Sequence, residues 1–281
     1  MLKRELDMVI LSDVHLGTFA CHAKELLQYL KSIRPKTLIL NGDFVDMWEF
    51  KRNFFPESHM AVLREILKMA AEGTKVYYLT GNHDDPLRKI GQFAAGNLIL
   101  RDKLVLQIDQ KKYWIFHGDV FDASVTISPW IAKLGGRGYT WLVMLNRWID
   151  NIRIKLGFSR VSLANQIKRS MKRAIKYISD FEDIAIDHAQ KQGYDFVICG
   201  HIHQPRIQHI PEKNITYMNS GDWVENLTAL EYRYHKWSLY NYDPNDYKIE
   251  NPRLHPRKMR REKSKVPSYI IQEGKSAGLS A

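Results

Sequence analysis

Short apolar runs punctuate the first third of the chain and predict strands at Met8–Leu11, Thr37–Leu40 and Val76–Leu79. Between them, His22–Ile33 and Ser58–Ala71 carry helical spacing, and Met60, Leu63, Leu67 and Ala70 form the expected apolar stripe of the second helix. Strand–helix–strand alternation argues for a layered α/β core. Further on, Ile99–Gln107 and Tyr113–Phe116 predict a hairpin around Asp109–Lys112. Arg206–Tyr242 reads as short strands separated by turns at PEKN, SGD and Tyr234-His235.

Between Asp122 and Gly193 the strand pattern stops. Ser162–Gln192 predicts one long helix with Ile167, Met171, Ala174, Ile175 and Ile178 inward and Lys168, Lys172 and Lys176 on the other side, beside Arg169 and Arg173. Upstream, Leu142, Leu145, Ile149, Ile152 and Leu156 follow helical spacing and suffice to bury that helix. Trp141, Met144 and Trp148 then form a second apolar face, as in a helix that is sandwiched or that binds an apolar ligand. The expected organisation is a core domain over 1–250, a helical insertion over 122–193 and a basic, disordered tail over 251–281.

Composition changes this picture in two ways. The 281 residues are 44% hydrophobic and 26% charged, a globular balance, and no apolar run is long enough to span a bilayer. The opening MLKRELDMVILSD has too short an apolar stretch for a signal peptide and reads as a first strand. Two cysteines, Cys21 and Cys199, make no disulfide framework and fit a reducing, cytoplasmic setting. The net charge of +11 is concentrated. Residues 147–176 hold nine Lys/Arg against Asp150 alone, and 253–281 hold eight against Glu262 and Glu273. Such segments fit anionic partners, or, for the tail, simple solubilisation.

Five polar clusters follow predicted strands: SDVH with Asp13 and His15, NGDFVD with Asp43 and Asp46, GNHDD with Asn82 and His83, FHGD with His117, and CGHIHQP with His201 and His203. In α/β sheets, ligands collect at the C-terminal ends of strands. Taken singly, an Asp-x-His or His-x-His pair is more often a turn or a surface pair than a metal site. Together, Asp13, His15, Asp43, Asn82, His117, His201 and His203 offer seven N and O ligands of the kind divalent ions take. His22, His59, His188, His209, His235 and His255 fall in helices or late hairpins and read as structural.

In this order and spacing the five blocks resemble the calcineurin-like metallophosphoesterases, over roughly residues 7–225. The resemblance implies a four-layer α/β core, two mixed sheets flanked by helices, and two divalent ions, manganese first with iron or zinc as alternatives. It implies that Asp13, His15 and His203 hold one ion, that Asn82, His117 and His201 hold the other, and that Asp43 bridges them. Paired ions clamp a phosphoryl group and lower the pKa of a shared water for in-line attack. In that family the histidine at His83 faces the phosphate, where an imidazole suits proton delivery to the leaving oxygen. Asp46 matches the second aspartate of the GDxxD pattern and is the candidate partner of His83; a purely structural hydrogen bond at the turn is the competing reading. Asp84 matches the family block as a supporting residue, and Asp85 has no assigned role.

More of the chain resembles one branch, the UDP-2,3-diacylglucosamine diphosphatases and their relatives. The segments are LSDVHLG, HGDVFD, GHIHQP and SGDWVENLTALEY, with the helical insertion placed where that branch carries its lid. The implied reaction splits the pyrophosphate of a UDP-linked, twice-acylated glucosamine into UMP and a lipid monophosphate, at the cytoplasmic face of a membrane. Trp141, Met144 and Trp148 would then line an acyl groove, and Arg153, Lys168 and Lys172 would meet phosphate or anionic lipid; lid core plus a solvated basic face explains the same residues equally well. The block GNHD departs from the well-known proteobacterial diphosphatases, which carry arginine where this chain has His83. Another hydrolase of the fold, a phosphodiesterase or nuclease, and a non-enzymatic scaffold are the alternatives, with no nucleic-acid partner expected.

Overall fold

The computed structural model describes residues 3–48, 54–122, 163–247 and 269–271, with backbone alone over 163–174 and 269–271. The chain divides into two compact units, Met1–Asp119 with His188–Ala281, and Val120–Asp187.

The first unit is built around β1 (Arg4–Leu11), β2 (Ile33–Asn41) and β3 (Lys75–Leu79), which pair in parallel. Both faces of these strands are apolar. On one face, Val9, Leu11, Leu38, Leu40 and Val76 join a cluster with α1 (Ala23–Ser32) and α2 (Glu57–Ala71). On the other, Met8, Ile10, Ile39, Tyr77 and Leu79 meet residues of a second sheet. Burial on both sides explains why the strands read as unbroken apolar runs, and each aliphatic side chain so buried contributes about 1.5–3 kcal/mol.

After α2 and β3 come β4 (Phe93–Ala95), β5 (Leu98–Arg101), β6 (Lys103–Ile108), β7 (Lys111–Phe116), α3 (Leu163–Lys191), β8 (Phe196–Cys199), β9 (Arg206–Ile210), β10 (Ile215–Asn219), β11 (Thr228–Arg233), β12 (Lys236–Asn241) and β13 (Tyr269–Ile271). The first sheet runs β12-β11-β1-β2-β3-β5-β4 and the second β13-β6-β7-β8-β10-β9. Both are mixed: parallel at β1-β2-β3-β5 and β7-β8-β10, antiparallel at their flanks. The α/β core of two mixed sheets with flanking helices is therefore observed.

Several expectations change. The predicted strand Ile99–Gln107 is two strands in different sheets: Leu98–Arg101 pairs with β3, and after Asp102 the chain crosses to the other sheet as β6. Hydrophobicity does not register the crossing, because both strands are apolar. The hairpin that follows turns on Asp109 and Gln110 alone, both at positive φ, as a two-residue turn between twisted strands requires. In α2 the stripe is rotated. His59, Val62, Glu65, Ile66, Met69 and Ala70 are buried and Leu63 partly so, whereas Met60 and Leu67 are 46% and 56% exposed. Two polar residues disguise the inward face: His59 Nδ1 accepts the Gly17 N–H at 2.9 Å, and Glu65 pairs with Lys3 at 3.3 Å. Finally, the tail is not disordered throughout, since Tyr269–Ile271 adds an antiparallel strand to β6.

Within the second unit, Tyr177 donates its hydroxyl to Asp122 at 2.9 Å and Phe121 meets Phe181 edge-on. Ile175, expected inward, is 64% exposed. It lies six residues before buried Phe181, about 120° around the helix, off the stripe that Tyr177, Phe181 and Ala185 define. Trp141, Met144, Trp148 and Arg153 lie outside the described residues, and the side chains of Lys168 and Lys172 do too.

The rotated α2 face predicts an asymmetry between neighbours. Ile66→Ala should cost about 2–5 kcal/mol and Leu67→Ala less than about 0.5 kcal/mol, read from urea denaturation midpoints; similar costs would contradict the assignment.

Candidate metal centre

The parallel strands β1, β2 and β3 of one sheet and β7 and β8 of the other each end one to three residues before a polar cluster. Backbone hydrogen bonds knit these ends together. Asp13 N–H donates to Gly42 O at 3.1 Å, His15 N–H to Asp43 O at 2.9 Å, and Gly200 N–H to His117 O at 2.9 Å. Across the sheets, Asn41 Nδ2 donates to Phe116 O at 3.0 Å.

Two groups of side chains result. Asp13, His15 and His203 bring ligand atoms within 4.8 Å of one another, and so do Asp43, His117 and His201. A third such group, His15, Asp43 and His83, joins them. Asp43 Oδ2 lies 3.2 Å from His117 Nε2 and 4.0 Å from His15 Nε2; Asp13 Oδ1 lies 3.2 Å from His203 Nε2. Six of the seven residues named from the sequence thus fall at one place, and the seventh, Asn82, is on the turn that also carries His83.

Their chemistry fits divalent cations. His15 Nε2 and Asn82 Oδ1 are buried and make no hydrogen bond, a state that is costly unless the group faces a charged ligand, and Asp13 Oδ1 and His117 Nε2, equally buried, meet the charged partners at 3.2 Å named above. The second nitrogen of His117 lies 2.9 Å from Asn41 O, which places a proton at Nδ1 and aims Nε2 at the centre. Asp13 Oδ2 accepts the His201 N–H and Asp43 Oδ1 the His83 N–H, leaving the other oxygen of each carboxylate for the centre.

The backbone is bent to make this fit. Asp13, His15, Asp43, His201 and His203 all have φ between 51° and 68°, a region that costs non-glycine residues energy and that clusters at functional sites. The glycines beside them are needed for close approach. A Cβ on Gly81 would sit 2.3 Å from Asp43 Oδ1, on Gly42 2.4 Å from the His117 ring, and on Gly200 2.6 Å from Asp13 Oδ2.

Asp46 Oδ2 lies 2.8 Å from His83 Nδ1 and 3.3 Å from His15 Nδ1, so one carboxylate oxygen serves two imidazoles. The sequence pointed to the first contact and not to the second. It also missed Trp48, whose ring lies 4.4 Å from that of His83, and Asp222 of the SGDW segment. Asp222 accepts backbone N–H groups from Val224, Glu225 and Asn226 and places Oδ2 3.8 Å from His203 Nδ1. An aspartate followed by such a turn is the one cue the sequence contained. Buried Asp84 accepts from Phe44 N–H at 3.1 Å, Tyr78 O–H at 2.7 Å and Gly81 N–H, tying two of the loops together.

Charge compensation shifts the titrations. Burial works against ionised Asp13 and Asp43, yet His203, His117 and His15 around them outweigh it and hold both well below the usual carboxylate range. Burial likewise works against charged His117, and the Asp43 carboxylate overrides it, so the imidazole is raised well above its ordinary value. Asp84 is raised, chiefly by burial.

A family model described as Calcineurin-like phosphoesterase matches residues 7–205. Curated relatives named UDP-2,3-diacylglucosamine hydrolase are similar over most of the chain. That of Aliivibrio fischeri is 25% identical, covering 84% of this chain and 98% of its own length. That of Ralstonia nicotianae is 27% identical, covering 72% and 78%, and that of Neisseria meningitidis serogroup B 26%, covering 78% and 91%.

Two outcomes follow from the geometry. Gly81→Ala should lose bound metal, measured by elemental analysis after equilibrium dialysis, and wild-type content would refute the close approach. In chelated protein, stability from His117 is present below about pH 6.5 and lost as pH rises through its raised pKa. That from Asp13 and Asp43 is present above about pH 3.9 and lost as pH falls, with Asp84 acting in the opposite sense. The melting temperature without metal should therefore peak between about pH 4 and 6.5, and added divalent ion should move the peak upward because it takes unprotonated imidazole. A chelated protein whose melting temperature climbs steadily from about pH 5 to 8 would contradict this.

Proposed function

The chain belongs to the calcineurin-like phosphoesterase family, a hydrolase family acting on phosphoester and pyrophosphate bonds, and on that premise we propose that it cleaves the pyrophosphate of UDP-2,3-diacylglucosamine or a similar lipid-linked nucleotide. The products are UMP and a lipid monophosphate. The observation that carries the reading is the convergence of Asp13, His15, Asp43, His117, His201 and His203 into two contiguous ligand groups, beside which Asn82 Oδ1 and His15 Nε2 are buried without a hydrogen bond. The substrate rests on the relatives named for it, 22–27% identical to this chain.

Asp13, His15 and His203 would hold one divalent ion, Asn82, His117 and His201 would hold the other, and Asp43, whose carboxylate belongs to two of the ligand groups, would serve both. When bound, the ions neutralise the phosphoryl oxygens and acidify water at the centre, and the mixed N and O donors suit manganese, with iron or zinc as alternatives. Asp43 and Asp13 set the charge of the centre, and the bond that His117 Nδ1–H donates to Asn41 O, with the backbone N–H groups that Asp13 Oδ2 and Asp43 Oδ1 accept, keeps the donors aimed. His83 delivers a proton to the leaving oxygen. Asp46 holds His83 at Nδ1, which orients the ring and stabilises its protonated form. The arginine of the proteobacterial enzymes keeps its proton at working pH, so His83 gives this chain an acid that those enzymes lack at the same place.

For the remainder of the substrate, Arg153, Lys168 and Lys172 pair with phosphate or with lipid headgroups, and Trp141, Met144 and Trp148 take the acyl chains. Among the described residues no helix is long and apolar enough to cross a membrane. The basic stretches at 147–176 and 253–281 support contact with an anionic surface on the cytoplasmic side.

Incubation with manganese and UDP-2,3-diacylglucosamine should release UMP, at a kcat/KM well above that for the deacylated nucleotide. Equal efficiency would remove the acyl-binding role, and hydrolysis of bis-p-nitrophenyl phosphate without UMP release would move the substrate elsewhere in the family. His83→Ala should lower kcat by about 10²–10⁴-fold at unchanged metal content. Turnover within a few-fold of wild type would end its role as the acid.

A further inference from the structure

Arg88 lies outside every motif and belongs to none of the ligand groups, yet it gathers the loops that carry two of them. It sits in the 3₁₀ segment Asp85–Ile90, which continues the GNHDD turn. Its Nε donates to Thr80 Oγ1 at 3.0 Å and one terminal nitrogen to Thr80 O at 3.2 Å. That same nitrogen pairs with Asp119 at 2.7 Å, and the other donates to Asp85 at 3.2 Å. Thr80 also donates to Asp102, whose carboxylate is 3.8 Å from Arg88 Nε.

Thr80 stands two residues before Asn82, and Asp119 two residues after His117. The guanidinium therefore spans the loop after β3, in the first sheet, and the loop after β7, in the second. The Asp119 side chain is 8% exposed and that of Arg88 29%, so this ion pair is partly shielded from solvent, unlike the outer contact to Asp85, whose side chain is 51% exposed. A planar fork of five donors can hold two loops at a set spacing where a point charge cannot. Nothing comparable links Arg88 to Asp13, His15 or His203, whose loops are braced by Trp223 N–H to Asp13 O at 3.1 Å and by Asn226 Nδ2 to His203 O at 3.0 Å.

We propose that Arg88 is a positioning residue for one of the two ions: by bridging Thr80 and Asp119 it sets the separation of Asn82 from His117 and so the affinity of the ion these two share with His201. This rests on the two-ion assignment above. The ion held by Asp13, His15 and His203 does not depend on it.

The test is a calorimetric titration of manganese into chelated protein, with the melting temperature of each chelated variant measured alongside. Wild type should bind two equivalents. Arg88→Ala should keep one equivalent at wild-type affinity and bind the second about 10–100-fold more weakly, the range typical when a residue supporting a metal ligand is removed. Arg88→Lys, which keeps the charge and loses the fork, should fall between them, and Asp85→Asn should match wild type. Unchanged binding by Arg88→Ala, or equal weakening of both equivalents, overturns the inference. If Arg88→Ala does not fold, Asp119→Asn, which removes the partner charge and keeps the volume, is judged by the same two criteria. A wild-type protein that binds fewer than two equivalents defeats the two-ion assignment itself, and a wild type with two equivalents but no UMP release leaves the Arg88 result standing on its own.

Discussion

Two carboxylates, Asp13 and Asp43, are buried next to each other's ligand groups in the heart of an α/β sandwich. Left unpaired, each would cost several kcal/mol of lost hydration, more than most single contacts in the protein return. Much of the architecture around them serves to meet that cost. Backbone N–H groups of His201 and His83 occupy one oxygen of each, imidazoles surround the other, and the parallel strand ends of two sheets deliver these partners from five separate places in the chain. Left-handed backbone at five candidate ligands is the strain accepted in return.

The same electrostatics ties chemistry to fold. An array of buried carboxylates and imidazoles aimed at common points is a poor way to stabilise a core and a good way to hold cations. The phosphoesterase family membership and the geometry therefore make one argument. Asp46 extends it by linking a candidate ligand, His15, to the candidate acid, His83, through one oxygen.

The departures from the sequence reading have a common cause. Met60 and Leu67 have the right spacing for an inward stripe, but His59 and Glu65 find polar partners inside and turn α2 away from them. Leu98–Arg101 and Lys103–Ile108 look like one strand because both are apolar, and which sheet each joins depends on neighbours far along the chain. Tyr269–Ile271 lies in a basic tail and still finds the free edge of β6. In each case a long-range partner decided what local composition left open.

The candidate site divides along the same line. Residue type and order alone picked out Asp13, His15, Asp43, Asn82, His117, His201 and His203, because ligand chemistry needs particular donors and those donors sit directly after strands. The α/β class was legible for a similar reason, since period and run length are local properties. Only the tertiary structure decided that Asp46 serves two rings, that Gly42, Gly81 and Gly200 leave room for side chains from other loops, and that Asp222 and Arg88 brace loops remote in sequence. Those are distances between segments that composition and spacing do not encode. They exist once two sheets have closed on a shared core and the chain has brought their strand ends to the same place.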